Sequence, residues 1–359
     1  MTDPEPTVGR RVTIKDVARA AGVGVVSVSR ALNDQPGVSN ETRERIRETA
    51  RSLGYRPNRH ARFLKLSSSR SIALMMKGID NPFFQQMLET VENAARERDY
   101  LLSVIKVPHY ADEVDEAIML VDEEAVAGLI FLGGNFTHQP GDLARLQVPF
   151  VLSTIGQLEG IDPGSYSSVA VDDFAESRRA TQYLLGLGHR RIALLGVGLR
   201  DSSVGMLRRR GYQAALADAG SPSDDGLVRG LDLNGRSPYS FEYGYQLMTR
   251  LLAERPDVTG IFAVADVIAI GALKAALDHG LRVPQDLSIV GFDGIQVGQY
   301  VHPSLTTLVQ PALEIAELTC QILFDSISGA PARQELLQGE LRLGGTAGPP
   351  RRGDLVGPR

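Results

Sequence analysis

From Val12 to Leu32 the chain reads VTIKDVARAAGVGVVSVSRAL, and its apolar positions follow a helical period. Ile14, Val17, Ala18 and Ala21 fall at i, i+3, i+4 and i+7, one face of a helix. Thr13 caps that helix, with Asp16 three residues on as the other half of a partial capping box. Gly22 supplies a turn, where a positive φ costs little without a Cβ, and Val23 is buried at the corner. A second helix from about Gly24 turns Val28, Ala31 and Leu32 inward and leaves Val25, Val26, Ser27, Ser29 and Arg30 on an outer face. Two short helices joined at a Gly turn form a helix-turn-helix, whose second helix enters the DNA major groove. A third helix, capped by Ser39 and ended by Gly54, buries Ile46, Ala50 and Leu53; Tyr55 and Pro57 close the unit. Residues 58–66 are basic and too few for a stable isolated helix in water, so they order on binding. A polar linker of Ser and Arg follows.

From Ser71 the pattern changes to apolar strands alternating with amphipathic helices. Strands are predicted at 72–76, 101–107, 127–132 and 150–153, with helices at 82–100 and 112–124. A second series starts at the strand 169–171 and runs through strands at 192–195, 227–231, 260–263 and 287–290. Its helices end at Gly186 and span 208–219, 243–253 and 269–278. This alternation predicts an α/β body of two doubly wound subdomains, with parallel sheets covered on both faces. Ligands in such folds sit outside the carboxyl ends of the strands, here in the cleft between the subdomains. The tail from Gly344, rich in Gly, Pro and Arg, reads as disordered and carries no heptad.

Charge sharpens this division. Residues 1–70 hold 14 Lys and Arg against 7 Asp and Glu, and the rest 24 against 36, so the formal net charge of −5 is +7 on the head and −12 on the body. A basic head on an acidic body confines any nucleic-acid contact to the head. The single cysteine, Cys320, excludes an intrachain disulfide and reads as a small core residue. The N-terminus lacks an apolar signal region and no apolar run could span a bilayer, so a cytoplasmic protein is expected. The histidines, His60, His109, His138, His189, His279 and His302, show no metal-ligand spacing. No nucleophile elbow or P-loop occurs, and the GVG at 196–198 lacks the third glycine of a dinucleotide fingerprint. Neither an enzyme nor a cofactor is expected.

Long motifs in fixed order now carry a resemblance: VTIKDVARAAGVGVVSVSRALN, VSNETRERIRETARSLGYRPNRHAR, DNPFF, LGHRRIALLG, LRRRGYQAAL, GLRVPQDLSIVGFDG and HPSLTTLVQP. Over nearly its whole length the chain resembles the lactose-repressor (LacI/GalR) family of bacterial transcription regulators. The resemblance implies a three-helix DNA-binding head at 1–57, a hinge helix and linker at 58–70, and an effector-binding core at 71–345 like a periplasmic sugar-binding protein. Its N-subdomain would take about 71–168 and 310–335, its C-subdomain about 169–309 and 336–345, and residues 346–359 would form the disordered tail.

Family positions map DNA contacts onto Thr13, Gly24, Val25, Val26, Ser27, Ser29, Arg30, Asn33, Tyr55, Asn58, Ala61 and Leu64. Val25, Val26 and Arg30 correspond to base readers, since a guanidinium forks onto guanine and apolar side chains meet thymine methyls. Leu64 matches a minor-groove wedge, with Ala61 and Asn58 beside it. Effector contacts map onto Asp80, Phe83, Phe84, Thr154, Asp172, Arg208, Asp266 and Asp293. Carboxylates, a guanidinium and an aromatic face suit a sugar; the competing reading for Asp172 and Asp266 is helix capping. Relatives usually have Ser at Gly24, and many have Asn at Ala265 and Asp at Thr154, which removes polar reach from this pocket. The implied protein is a repressor of carbohydrate-utilisation genes, a homodimer on a near-palindromic double-stranded operator, controlled by a sugar or sugar phosphate. A nucleoside- or purine-responsive regulator is one alternative. The other, a sugar receptor without DNA function, fits the core but not the basic head.

Overall fold

A computed structural model of the chain describes residues 12–32, 36–55, 70–135, 137–138, 141–196, 198, 203–221, 224–230 and 239–351. It divides into two compact units between residues 67 and 68.

The smaller unit contains α1 (Ile14–Ala21), α2 (Val25–Leu32) and α3 (Asn40–Ser52). Asp16 Oδ2 accepts from both the backbone N–H and the hydroxyl of Thr13, at 2.9 and 2.6 Å, which fixes the start of α1. Gly22 ends α1 with φ 66°. Val17, Val28, Ala31 and Ile46 are wholly buried between the three helices, with Ala18, Ala21 and Ala50 around them. Val23 and Leu32 only flank this cluster. Leu53, expected on the buried face of α3, is 38% exposed instead. It is the C-cap, one step past the last turn that faces the core.

In the larger unit the strands are β1 (Ser71–Lys77), β2 (Leu101–Val107), β3 (Gly128–Leu132), β4 (Phe150–Ser153), β5 (Ser167–Val171), β6 (Ile192–Leu195), β7 (Val228–Arg229), β8 (Gly260–Ala263), β9 (Ser288–Asp293), β10 (Thr306–Val309), β11 (Gln334–Leu337) and β12 (Glu340–Arg342). They form two six-stranded sheets, ordered β11-β5-β4-β3-β1-β2 and β12-β10-β9-β8-β6-β7. Every pairing is parallel except β10 with β12. The helices are α4 (Pro82–Glu97), α5 (Glu113–Glu123), α6 (Asp173–Gly186), α7 (Gly205–Asp218), α8 (Phe241–Glu254), α9 (Asp266–Asp278) and α10 (Ala312–Ile327). Strands such as β1, buried from Ile72 to Met76, read as unbroken apolar runs because helices cover both faces. Among the described residues no helix is long and apolar enough to cross a membrane.

Two expected boundaries change. The strand expected at 169–171 in the C-subdomain is β5 of the first sheet, between β4 and β11. The backbone N–H of Thr154 donates to Val169 O at 2.8 Å, so the chain crosses to the second sheet only after Val171. The tail expected to be disordered from Gly344 is docked through Arg351. Thr346 is fully buried, its hydroxyl donating to Ile289 O at 2.7 Å and accepting from Thr306 N at 2.9 Å. Gly348 O lies 2.9 Å from both His189 Nε2 and Ser288 Oγ. These side chains satisfy backbone groups that composition alone would leave to water. Residues 352–359 lie outside the described residues.

Helices α6 and α7 meet at Gly211, where an added Cβ would run into Phe174 O and lie 2.9 Å from Arg178 N. Gly186, on the exposed side of α6, has nothing within 4 Å of the same position. Gly211→Ala is therefore predicted to destabilise the larger unit by about 1–3 kcal/mol through overpacking. Gly186→Ala should stabilise it by up to about 1 kcal/mol, because the unfolded chain loses freedom. Urea midpoints of the two variants moving in the same direction would contradict this account.

Candidate functional site

In the smaller unit, the turn after α1 places the first residues of α2 in water. Val25 and Val26 are 40% and 64% exposed, while Val28 is fully buried. Gly24 O accepts the first bond of α2 from Val28 N at 3.1 Å, and nothing lies within 4 Å of where its Cβ would be. Ser27 and Ser29 are half-buried and Arg30 is exposed. The outer face thus carries two valines and a guanidinium, and the first turn of α2 has no acidic residue. Thr13 is spent on its cap at the start of α1. Tyr55 packs half-buried against the three-helix core, with burial raising its pKa. Asn33, Asn58, Ala61 and Leu64 lie outside the described residues.

In the larger unit, the carboxyl ends of both sheets open on a cavity of about 680 Å³. Phe83, Phe84, Thr154, Arg208 and Asp293 line it, joined by Lys77, Asn81, Tyr110, Asn135, Ser203, Tyr239 and Gln310. Thr154, which follows β4 with φ 69°, presents only a short hydroxyl here. Three other expected contacts do not line it. Asp80 is exposed and outside the wall. Asp172 is exposed and caps α6, accepting from Ala175 N at 2.9 Å. Asp266 is fully buried behind the cavity, where its carboxyl oxygens hold the turn after β9, accepting from Gly294 N and Ile295 N, each at 2.8 Å, and from Thr307 Oγ1 at 2.5 Å.

Arg208 organises the wall. Its Nε donates to Asp173 Oδ1 at 2.7 Å, its Nη1 to Val264 O at 2.5 Å, and Nη1 lies 3.5 Å from Asp293 Oδ1. The guanidinium stacks on Phe292, 3.8 Å from the ring centre. Asp293 adopts φ 118°, a left-handed region that non-glycine residues seldom hold. Gln310 Nε2 donates to its Oδ1 at 2.9 Å, and Asn81 Nδ2 reaches across from the other sheet to its Oδ2 at 3.0 Å. On the first-sheet side Lys77 Nζ donates to Glu113 Oε2 and to Ala111 O, each at 2.8 Å, and Glu113 Oε1 accepts from Asn135 N at 2.5 Å. Sequence reasoning missed Asn81, Asp173, Glu113 and Gln310. Two of these stood one residue from a chosen aspartate, and the Asn-Pro pair at 81–82 was a readable helix start.

Comparison with known proteins places the chain among regulators. The profile "Bacterial regulatory proteins, lacI family" matches residues 13–58, and "Periplasmic binding protein-like domain" matches 181–347. The HTH-type transcriptional regulator MalR of Clostridium butyricum is 36% identical over 319 residues, 88% of this chain and 93% of the relative. Catabolite control protein A of Priestia megaterium is 32% identical over 313 residues, 87% of this chain and 91% of that one. Among solved structures, the lac repressor dimer bound to operator and the anti-inducer ONPF superposes with TM-score 0.74 and 25% identity, over 94% of this chain and 99% of that one. A complex of the transcriptional regulator CelR with cellobiose gives 0.65 and 28%, over 94% and 100%.

Burial raises the carboxyl pKa values around Arg208. Asp173 is pushed up to about 6 against the pull of Arg208. Asp293 is also raised. Asp266 is pushed up to about 8 by burial and then by the neighbouring charge of Asp293. The unfolded chain ionises Asp266 near its ordinary value while the folded protein keeps the proton until about pH 8. Unfolding therefore releases a proton across that window, and stability falls as pH rises through it. Against an Asp266→Asn variant, which cannot titrate there, wild-type core stability should drop by about 1.4 kcal/mol per pH unit between about pH 5 and 7. Urea unfolding followed by circular dichroism reads this difference; a gap that does not change with pH would refute it.

Proposed function

The chain belongs to the lacI family of bacterial regulatory proteins, and we propose that it is a repressor of carbohydrate-utilisation genes, binding a near-palindromic operator as a homodimer and controlled by a small sugar-like effector in the cleft. The observation that carries the DNA half is the pair Val25 and Val26, standing in water at the start of the helix that follows the turn. A core position would not be left there, and an apolar face at that point of a helix-turn-helix suits thymine methyls. Arg30 on the same face suits guanine, and each such contact discriminates by about 1–3 kcal/mol. Leu64 of the hinge is the wedge of this reading, with Asn58 and Ala61 beside it. The charge of +7 on residues 1–70 supplies the phosphate attraction.

The cleft half rests on the wall of amides, carboxylates and aromatic rings around Asp293, which suits hydroxyl groups. The cellobiose held by CelR supports the same class of ligand. A second copy has a surface to meet: Phe241, Leu277, Val297 and Tyr300 are exposed, and α8 and α9 form an apolar groove with Ile270 and Val301. The lac repressor dimer on its operator supports that assembly. Effector binding would shift how two hinges meet, a coupling of typically about 1–3 kcal/mol that must act in both directions.

Three outcomes test this reading. Leu64→Ala should weaken operator binding at least about tenfold in a titration at fixed salt while leaving effector binding intact; unchanged DNA affinity would sink the wedge. Affinity for the operator should fall steeply with salt through counterion release. Leu277→Glu should shift the protein from dimer toward monomer in analytical ultracentrifugation and weaken operator binding with it; a dimer that persists removes the groove from the interface.

A further inference from the structure

Resting on the sugar reading of the cleft, we propose that its ligand is an uncharged oligosaccharide of at least two rings, whose inner ring lies against Asn81, Asp293 and the Phe83–Phe84 wall and whose outer ring stacks on Tyr110 at the mouth. Size is the first ground. A cavity of about 680 Å³ falls well inside the range of roughly 300–1,000 Å³ that encloses drug-sized ligands, and a disaccharide rather than a single hexose has the atom count of such a ligand.

Charge is the second. Among the described residues, the lysine and arginine lining the cavity are Lys77 and Arg208. Each already faces a buried carboxylate: Lys77 faces Glu113 at 2.8 Å, and Arg208 faces Asp173 at 2.7 Å and Asp293 at 3.5 Å. A phosphate ester recognised here would need a cation whose charge is not already balanced by a buried carboxylate. It would instead bring a dianion beside Glu113 and Asp293, where low dielectric magnifies repulsion. A neutral polyol meets no such penalty.

Tyr110 is the third. A single exposed aromatic side chain is ordinary on a protein surface. This one is 79% exposed and lines the mouth of the cavity. The turn that carries it is tied to the wall: Ala111 N donates to Pro108 O at 3.1 Å, and Ala111 O accepts from Lys77 Nζ at 2.8 Å. The backbone that carries the ring is thus fixed at the mouth before the ligand arrives, so stacking a sugar face on the ring orders only its own side chain. The second-sheet wall offers Tyr239 across the same cavity.

Calorimetric titration of the full-length protein decides the matter, with glucose, galactose, maltose, cellobiose, lactose, sucrose, trehalose, maltotriose, glucose 6-phosphate, adenosine and cytidine. At least one neutral di- or trisaccharide should bind about tenfold or more tighter than either hexose, a difference of about 1.4 kcal/mol, and glucose 6-phosphate no tighter than glucose. Tyr110→Ala should erase most of that preference with hexose affinity and melting temperature unchanged, since its side chain supports no core. A hexose that binds as well as every longer sugar overturns the proposal, as does tighter binding of the phosphate ester, a preference that survives Tyr110→Ala, or no binding of any neutral di- or trisaccharide. Binding of adenosine or cytidine with no sugar bound overturns the sugar reading itself, which separates that failure from an error in length or charge.

Discussion

The buried guanidinium of Arg208 holds the cleft in its shape. It joins the start of α6 through Asp173, the end of β8 through Val264 O, and the end of β9 through Asp293 and the ring of Phe292. A charge this deep costs several kcal/mol in desolvation unless it is paired and hydrogen-bonded. The compensation is supplied by groups from three separate elements, so none of them can move without exposing an uncompensated charge. Asp293 transmits the constraint to the other sheet, because Asn81 bonds it across the cleft. Its left-handed backbone persists because these side chains over-determine it. A ligand in this cavity must either adopt that network or replace Asn81 as a partner of Asp293, and the choice alters how the two sheets are held relative to one another.

The other organising constraint is the separation of charge. The DNA-reading unit carries the positive excess and the body the negative one. Phosphate therefore attracts one part and repels the other, which orients the encounter before any base is read. Among the described residues the small unit buries only a handful of side chains between its three helices, so a modest core supports its reading face. The larger unit has the cores that hold a cleft in shape. Their proportions suit a rigid ligand sensor feeding a small DNA reader.

Much of this was legible in the chain itself. The inward faces of α1, α2 and α3 follow from apolar residues three and four positions apart, and Val25 and Val26 fall outward by the same count. The existence of the strands was equally readable, because buried parallel strands are continuous apolar runs. Which sheet a strand joins was not. The run at 167–171 has the same pattern as its neighbours in either sheet, and its place is set by pairing with β4 and with β11 far along the chain. The Gly- and Pro-rich segment after β12 reads as loose by composition, yet Thr346, His189 and Ser288 pin it.

The cleft shows the same division at the scale of single residues. The sequence by itself determined where the cleft would lie, because strand ends follow from the alternation of strand and helix, and its resemblance to a family put carboxylates, an arginine and aromatic rings there. Only the tertiary structure decided which of them meet. Adjacent residues at a helix start point their side chains in different directions, so Asp173 faces Arg208 while Asp172 caps α6 in water, and Asn81 faces Asp293 while Asp80 does not. Asp266 satisfies the backbone after β9 from behind the cavity. Arg208 and Asp173 are 35 positions apart, and Asn81 and Asp293 are 212. Local periodicity reaches only a few residues; contacts over such separations depend on how the sheets pack, and that information is carried by the whole fold.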